Sequence, residues 1–269
     1  LRVLRFASLE EVWRSRRLLG SLVLRQLQAS YAGSVGGWSW VVVRPLLTVI
    51  AYYFVFDLVL AVRLNVEEAG TATYALYLIS GLIPWLAFSD GVVQGTNSLV
   101  GDANLLKKTR FPAELIPARA VLGGAVAILP FTYLVGLIAL FMGSGSALGM
   151  LLLLPWLALQ VLVSYHIALV LSLLNAALRD VGQIVQTFFP MLIFFSPILF
   201  PPDRVPAALR SVLWLNPFTP LVNGYHSLLL QGTLPPAADM AVLLGWWLLL
   251  MIVARTLLLR AREQLVDWL

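Results

Sequence analysis

Asp102-Ala-Asn-Leu-Leu-Lys-Lys-Thr-Arg-Phe-Pro-Ala-Glu-Leu-Ile-Pro117 decides how the chain is read, because it is a strongly basic patch between two long apolar runs. Short loops rich in Lys and Arg stay on the cytoplasmic side of a membrane, so Lys107, Lys108, Arg110 and Arg119 place this loop inside and orient the apolar runs around it. Leu105 and Leu106 ahead of Lys107 and Lys108 suggest a short amphipathic turn. Phe111-Pro112 closes it, since proline disfavours helical geometry in the residue before it. Two readings stand side by side: a handle for a soluble partner, and a solvated loop that only obeys the orientation rule.

Working outward, 269 residues with 60% hydrophobic and 12% charged content lie outside soluble composition. The chain reads as an all-α polytopic membrane protein. The formal charge of +5 does not point to nucleic acid, because the basic residues sit beside the apolar runs, where topology explains them. With no cysteine there is no disulfide framework, thiol nucleophile or cysteine metal site, and His166 and His226 are too few for a histidine site, so no metal is expected. Residues 1–25 are charged and interrupted, so no cleavable signal is expected there; the missing initiator Met hints that the numbering begins after the true start.

Residues 1–40 read as an interface helix. Ser8 and Glu11 make a capping box, then Arg14, Arg17, Ser21, Arg25 and Gln28 recur at steps of three or four along one face, with an apolar face opposite, as in helices lying on a membrane surface. Residues 41–200 hold five spans: 41–62, 74–96, 115–142, 148–176 and 184–200, most of them long enough, at about 20 residues or more, to cross the hydrocarbon. Asp57 lies toward the outer end of the first, near Arg63, and reads as an interfacial charge. The second is interrupted by Gly81, Pro84, Ser89, Asp90, Gly91 and Gln94, so it is expected to face protein or a water-filled path. In the third, Gly123-Gly124 and Gly136 permit close helix approach, and Gly143 to Gly145 make a tight outer turn. His166 in the fourth is expected to bond a neighbouring helix. Arg179 and Asp180 form a second inner loop able to touch a partner.

Residues 201–236 are proline-rich and carry two apolar segments, 205–215 and 221–230, each about half a span, which read as an outer re-entrant hairpin. Ordinary surface helices are the alternative. Residues 237–269 contain the sixth span and an inner tail. Of 18 Lys and Arg, only Arg63, Arg204 and Arg210 fall on outer segments, which favours six spans with both termini cytoplasmic. There is no Gly-rich phosphate loop, nucleophile elbow or zinc motif, so the chain is expected to be neither an enzyme nor a nucleotide hydrolase, with no catalytic residue and no cofactor of its own.

Four stretches then resemble a known family, the permease subunits of type 2 ABC transporters, particularly exporters of cell-surface polysaccharides such as O-antigen and teichoic acid. They are Arg25 to Trp40 (RQLQASYAGSVGGWSW) with Pro45, Gly81 to Phe88 (GLIPWLAF), Asn104 to Pro112 (NLLKKTRFP) with Pro117, and Ser196 to Pro201 (SPILFP) with Asn216-Pro217. They occur in the family's order over nearly the whole chain. One departure is Gln26-Leu27, where the family commonly has a basic and an acidic residue. The resemblance implies a single permease domain in the bacterial cytoplasmic (inner) membrane. It also implies a second copy of this chain, two copies of a separate ATPase that binds ATP and Mg, and a lipid-linked polysaccharide as cargo. Asn104, Leu105, Leu106, Lys107, Lys108, Arg110, Phe111 and Pro112 would then hold the coupling helix, with Arg179 and Asp180 beside it. Pro197, Pro201, Asn216 and Pro217 would form an outer gate.

For the path of the cargo, helical spacing pairs Tyr52 with Phe56, Trp85 with Phe88, and Phe188 with Phe195, each pair on one face of its span. Aromatic faces suit sugar rings; packing against lipid is the competing reading. A capsule exporter, a permease of the same fold for a small drug or lipid, and an ion-coupled carrier or lipid-modifying enzyme remain as alternatives.

Overall fold

The structure, a computed structural model, describes residues 12–29, 33–59, 74–108, 111–206, 213, 216–261 and 264–268. The Ser8–Glu11 box, Arg63, Arg110 and most of segment 205–215 lie outside the described residues, as does the side chain of Asp57.

Among the described residues the chain is helical, with no strand: α1 Arg16–Ala29, α2 Trp40–Tyr53, α3 Tyr74–Gly101, α4 Ala103–Lys108, α5 Leu115–Phe141, α6 Ala147–Ala177, α7 Asp180–Phe188, α8 Phe218–His226, α9 Ala237–Ala261 and α10 Leu265–Trp268. Four of these, α3, α5, α6 and α9, are long and apolar enough to cross a membrane. Within the described residues the expected first and fifth spans are irregular. Helix α2 opens into wider π-helical turns over Phe54–Val59. Helix α7 tightens to a 3₁₀ helix over Phe189–Phe195, where Pro190 has no N–H to give to the carbonyl four residues back, and then turns away at an extended Ser196. Over the fifth span expected at 184–200, helical structure thus runs in two forms to Phe195 and stops before Phe200.

Helix α3 is the centre, packed on α5 and α6 along its length and touched by α2, α7 and α8. Small residues let the backbones meet. A Cβ at Gly95 would stand 2.7 Å from the Cβ of Ala168, and one at Gly124 would stand 3.3 Å from the carbonyl oxygen of Ala87. Helix α1 packs on α5, and α9 packs on α6. The α5–α6 turn uses Gly143 at φ +78°, and Ser146 caps α6 by accepting from the N–H of Gly149 at 3.0 Å.

Two apolar cores result. The larger gathers Tyr77, Trp85, Phe88, Trp156, Phe218 and Tyr225. The smaller, at the basic end, gathers Leu19, Leu99, Leu106, Leu115, Leu173 and Leu265, so α1, α4 and α10 belong to that end. The second half of the expected hairpin is no surface helix: α8 and its π-helical continuation Ser227–Gln231 are buried from Phe218 to Leu230 except at Asn223.

Candidate functional site

At the basic end, α3 stops at Asp102, whose carbonyl accepts from the N–H groups of Leu105 at 2.9 Å and Leu106 at 3.3 Å, turning the chain into α4. The Asp102 carboxylate accepts from Arg119 Nη2 at 2.7 Å, which bridges the loop to the first turns of α5. Leu106 is buried in the smaller core while Asn104, Lys107 and Lys108 stay exposed and Leu105, Phe111 and Pro112 are half-buried. The short amphipathic turn read from Leu105-Leu106-Lys107-Lys108 is thus present, anchored at both ends.

The second inner loop is tied to the first. Asn175, 2% exposed, donates to the Thr96 carbonyl at 3.2 Å and to Asn97 Oδ1 at 3.3 Å, while its own Oδ1 accepts from the Gly182 N–H at 2.8 Å. One side chain therefore knots the last turns of α3 and α6 to the first turn of α7. Any Cβ on Gly182 would reach 2.6 Å from Asn97 Oδ1, so only glycine leaves the knot intact. Arg179 and Asp180 lie exposed beside it. Together with the Asp102–Arg119 pair, these bonds link the two loops to α3, α5, α6 and α7. Asn97 and Asn175 were missed in the sequence, where a polar residue near a span end carries no mark of its partner.

The six aromatic residues are not brought to one surface. Trp85 and Phe88 are 3% and 1% exposed, inside the larger core against Phe189 and Phe218, with Trp85 edge-on to Phe218 at 4.9 Å between ring centroids. Tyr52 and Phe56 stack at 6.1 Å and are partly buried against that core, whereas Phe188 and Phe195 are exposed. The reason is periodicity: Trp85 and Phe88 share a face of α3, and that face meets α8 and the turns after α7.

Of the proposed gate residues, Asn216 holds the others. It donates to Ser196 Oγ at 2.7 Å, and its Oδ1 accepts from the Phe218 N–H at 3.0 Å, joining the Ser196-Pro197 turn to the start of α8. Pro197 and Pro201 are buried and Pro217 half-buried. The same turn is fastened to α3, where the Tyr77 hydroxyl donates to the Pro197 carbonyl at 2.8 Å and Tyr74 to the Leu199 carbonyl at 2.9 Å. His226, its ring tilted against that of Tyr77 with centroids 4.0 Å apart, donates through Nε2–H to the Tyr77 carbonyl at 3.2 Å. His166 bonds the Leu162 carbonyl of its own helix at 2.7 Å, not a neighbouring helix as expected.

A groove runs along α3 that aromatic spacing did not reveal. Asp90, Gln94, Asn97 and Gly101 follow one another at steps of four, three and four, forming an open stripe on an otherwise buried helix. Its upper part, a cavity of about 150 Å³, is walled by α1, α2, α3 and α5 and holds the Arg44–Asp90 ion pair at 3.6 Å. Its lower part, about 510 Å³, continues to Asp102, Arg119 and Gln186. Gln26 and Gln94 line both parts, and Gln26 Nε2 donates to Gln94 Oε1 at 3.3 Å. Asp90 and Gln94 at helical spacing were the available signal, legible as polarity but without its direction.

A bundle of apolar helices, four of them long enough to cross a membrane, with an enclosed short helix and a basic loop tied across helix ends fits a polytopic membrane protein. The chain belongs to the ABC-2 type transporter family, which its residues 17–230 match. It is similar to the O-antigen export system permease protein RfbA of Myxococcus xanthus, 28% identical over 96% of this chain and 97% of that one. It is likewise 28% identical to RfbA of Klebsiella pneumoniae over 81% and 82%, and 21% identical to the polysialic acid transport protein KpsM of Escherichia coli over 91% and 93%.

Proposed function

We propose that the chain is the membrane subunit of an ATP-driven exporter that moves a lipid-linked, O-antigen-like polysaccharide across the bacterial cytoplasmic membrane. The basic end and both termini lie in the cytoplasm, where two copies of a separate ATPase, carrying ATP and Mg, dock on two copies of this chain. The observation that carries the reading is the likeness to O-antigen permeases over nearly the full length of both chains. A capsule-type polymer is the second reading, favoured by the likeness to KpsM.

Motion at the ATPase would enter through α4, whose exposed Lys107 and Lys108 face outward while Leu106 is locked in the core. Because Asp102–Arg119 and Asn175 bind this loop to α5, α6 and α7, a displacement is shared by the bundle instead of bending one loop. Two copies are needed because a polar groove open on one side of a single protomer, at membrane depth, has to be covered by protein or water. The Ser196–Pro201 turn and α8 form the opposite, outer end, where Tyr74 and Tyr77 hold them on α3.

In cells lacking their own exporter and supplied with this chain and its ATPase, Lys107, Lys108 and Arg110 changed together to Glu should reduce surface polysaccharide by at least about tenfold. ATP turnover and membrane level of the protein should persist. Undiminished export by that variant rejects the docking role. Native mass of the solubilised complex should contain two permeases; an active complex with one rejects the paired arrangement.

A further inference from the structure

Resting on the export reading, we infer that the groove along α3 passes an uncharged glycan and discriminates against a polyanionic one. Among the described lining residues the ionic groups come as two pairs, Arg44 with Asp90 at 3.6 Å and Arg119 with Asp102 at 2.7 Å, so that lining carries no net charge. The two carboxylates stand twelve residues apart, from Asp90 in α3 to Asp102 just past its end, about 18 Å at the helical rise. Between them the polar side chains are mostly amides: Gln26, Gln94, Asn97 and Gln186.

An amide offers both donors and an acceptor, as a sugar hydroxyl does, so each contact can be made in either sense as the chain advances. Several equivalent, neutral contacts are favourable enough to admit a polymer and weak enough to release it. A chain of carboxylates or phosphates meets the opposite situation. It would leave water for a groove whose cations, among the described residues, are each matched by a carboxylate, and an anion desolvated without a counter-charge is costly. Lys107 and Lys108 do not change this, since they lie beyond Asp102 on α4 and outside the groove lining.

The test places this chain with its ATPase in cells whose own exporter is deleted and whose lipid-linked polymer is either neutral polymannose or polysialic acid, and measures each at the surface. Polymannose should be exported and polysialic acid should remain below about one-tenth of that level. Comparable or greater export of polysialic acid overturns the inference while leaving the export reading intact. Failure of both polymers to reach the surface overturns the export reading, and the inference with it. Gln94→Lys with Gln186→Lys, at unchanged membrane level, should cut polymannose export at least tenfold and raise polysialic acid above background. Unchanged polymannose export by the double lysine variant shows that this groove is not the path.

Discussion

Helices α3 and α9 both read as spans, yet they are built on opposite plans. In α3, the less apolar of the two, 78% of the span window is buried in protein; in α9 the figure is 17%. Helix α3 carries Ser80, Ser89, Thr96 and Ser98 turned inward, each hydroxyl save that of Ser89 bonded to a carbonyl of its own helix, while α9 presents Leu244, Leu248, Leu249 and Ile252 outward. The difference teaches that burial and hydropathy separate where lipid is the solvent: an apolar face loses nothing by facing acyl chains, so the interior goes to the helix whose small residues let neighbouring backbones approach.

Paired substitutions can break this contrast. The largest effect is expected for Gly95→Leu, whose side chain would collide with Ala168 at the α3–α6 contact; about 3 kcal/mol or more of overpacking should remove most folded protein from the membrane. Gly245→Leu on α9, where nothing lies within 4 Å, should leave level and melting temperature unchanged.

Next comes Gln160→Leu. Gln160 accepts from the buried Tyr225 hydroxyl at 2.8 Å and donates to the Pro84 carbonyl at 3.0 Å, so its loss should cost roughly 2 kcal/mol, read as a lower melting temperature of the solubilised protein. Tyr77→Phe should cost about 1 kcal/mol and loosen the Ser196–Pro201 turn, measured as faster hydrogen exchange there. Leu248→Ala with Leu249→Ala should shift stability by less than about 0.5 kcal/mol, since both side chains point away from the bundle. A loss comparable to that of Gln160→Leu would mean that α9 is covered by protein, and the contrast would fail.

The irregular fifth segment shows the limit of reading by length. Residues 184–200 are apolar enough to resemble a span, and Pro190 was visible, but the count of apolar residues says nothing of where the ladder breaks. The aromatic pairs show the same limit. Spacing placed Trp85 and Phe88 on one face, and they are; whether that face met a path or a core depended on α8, which arrives from more than a hundred residues further on.

What the sequence alone determined is the membrane class, the run of apolar helices, the basic turn at Lys107-Lys108 and the family resemblance, because composition, period and charge are local and additive. What only the tertiary structure decided is which helix lies at the centre, that Asn175 knots the two loops, and that Asp90, Gln94 and Asn97 open onto one groove. Those depend on which distant backbone supplies a partner for each polar group. A hydrogen bond between Asn175 and Asn97, or a steric stop at Gly182, exists only once the helices have met.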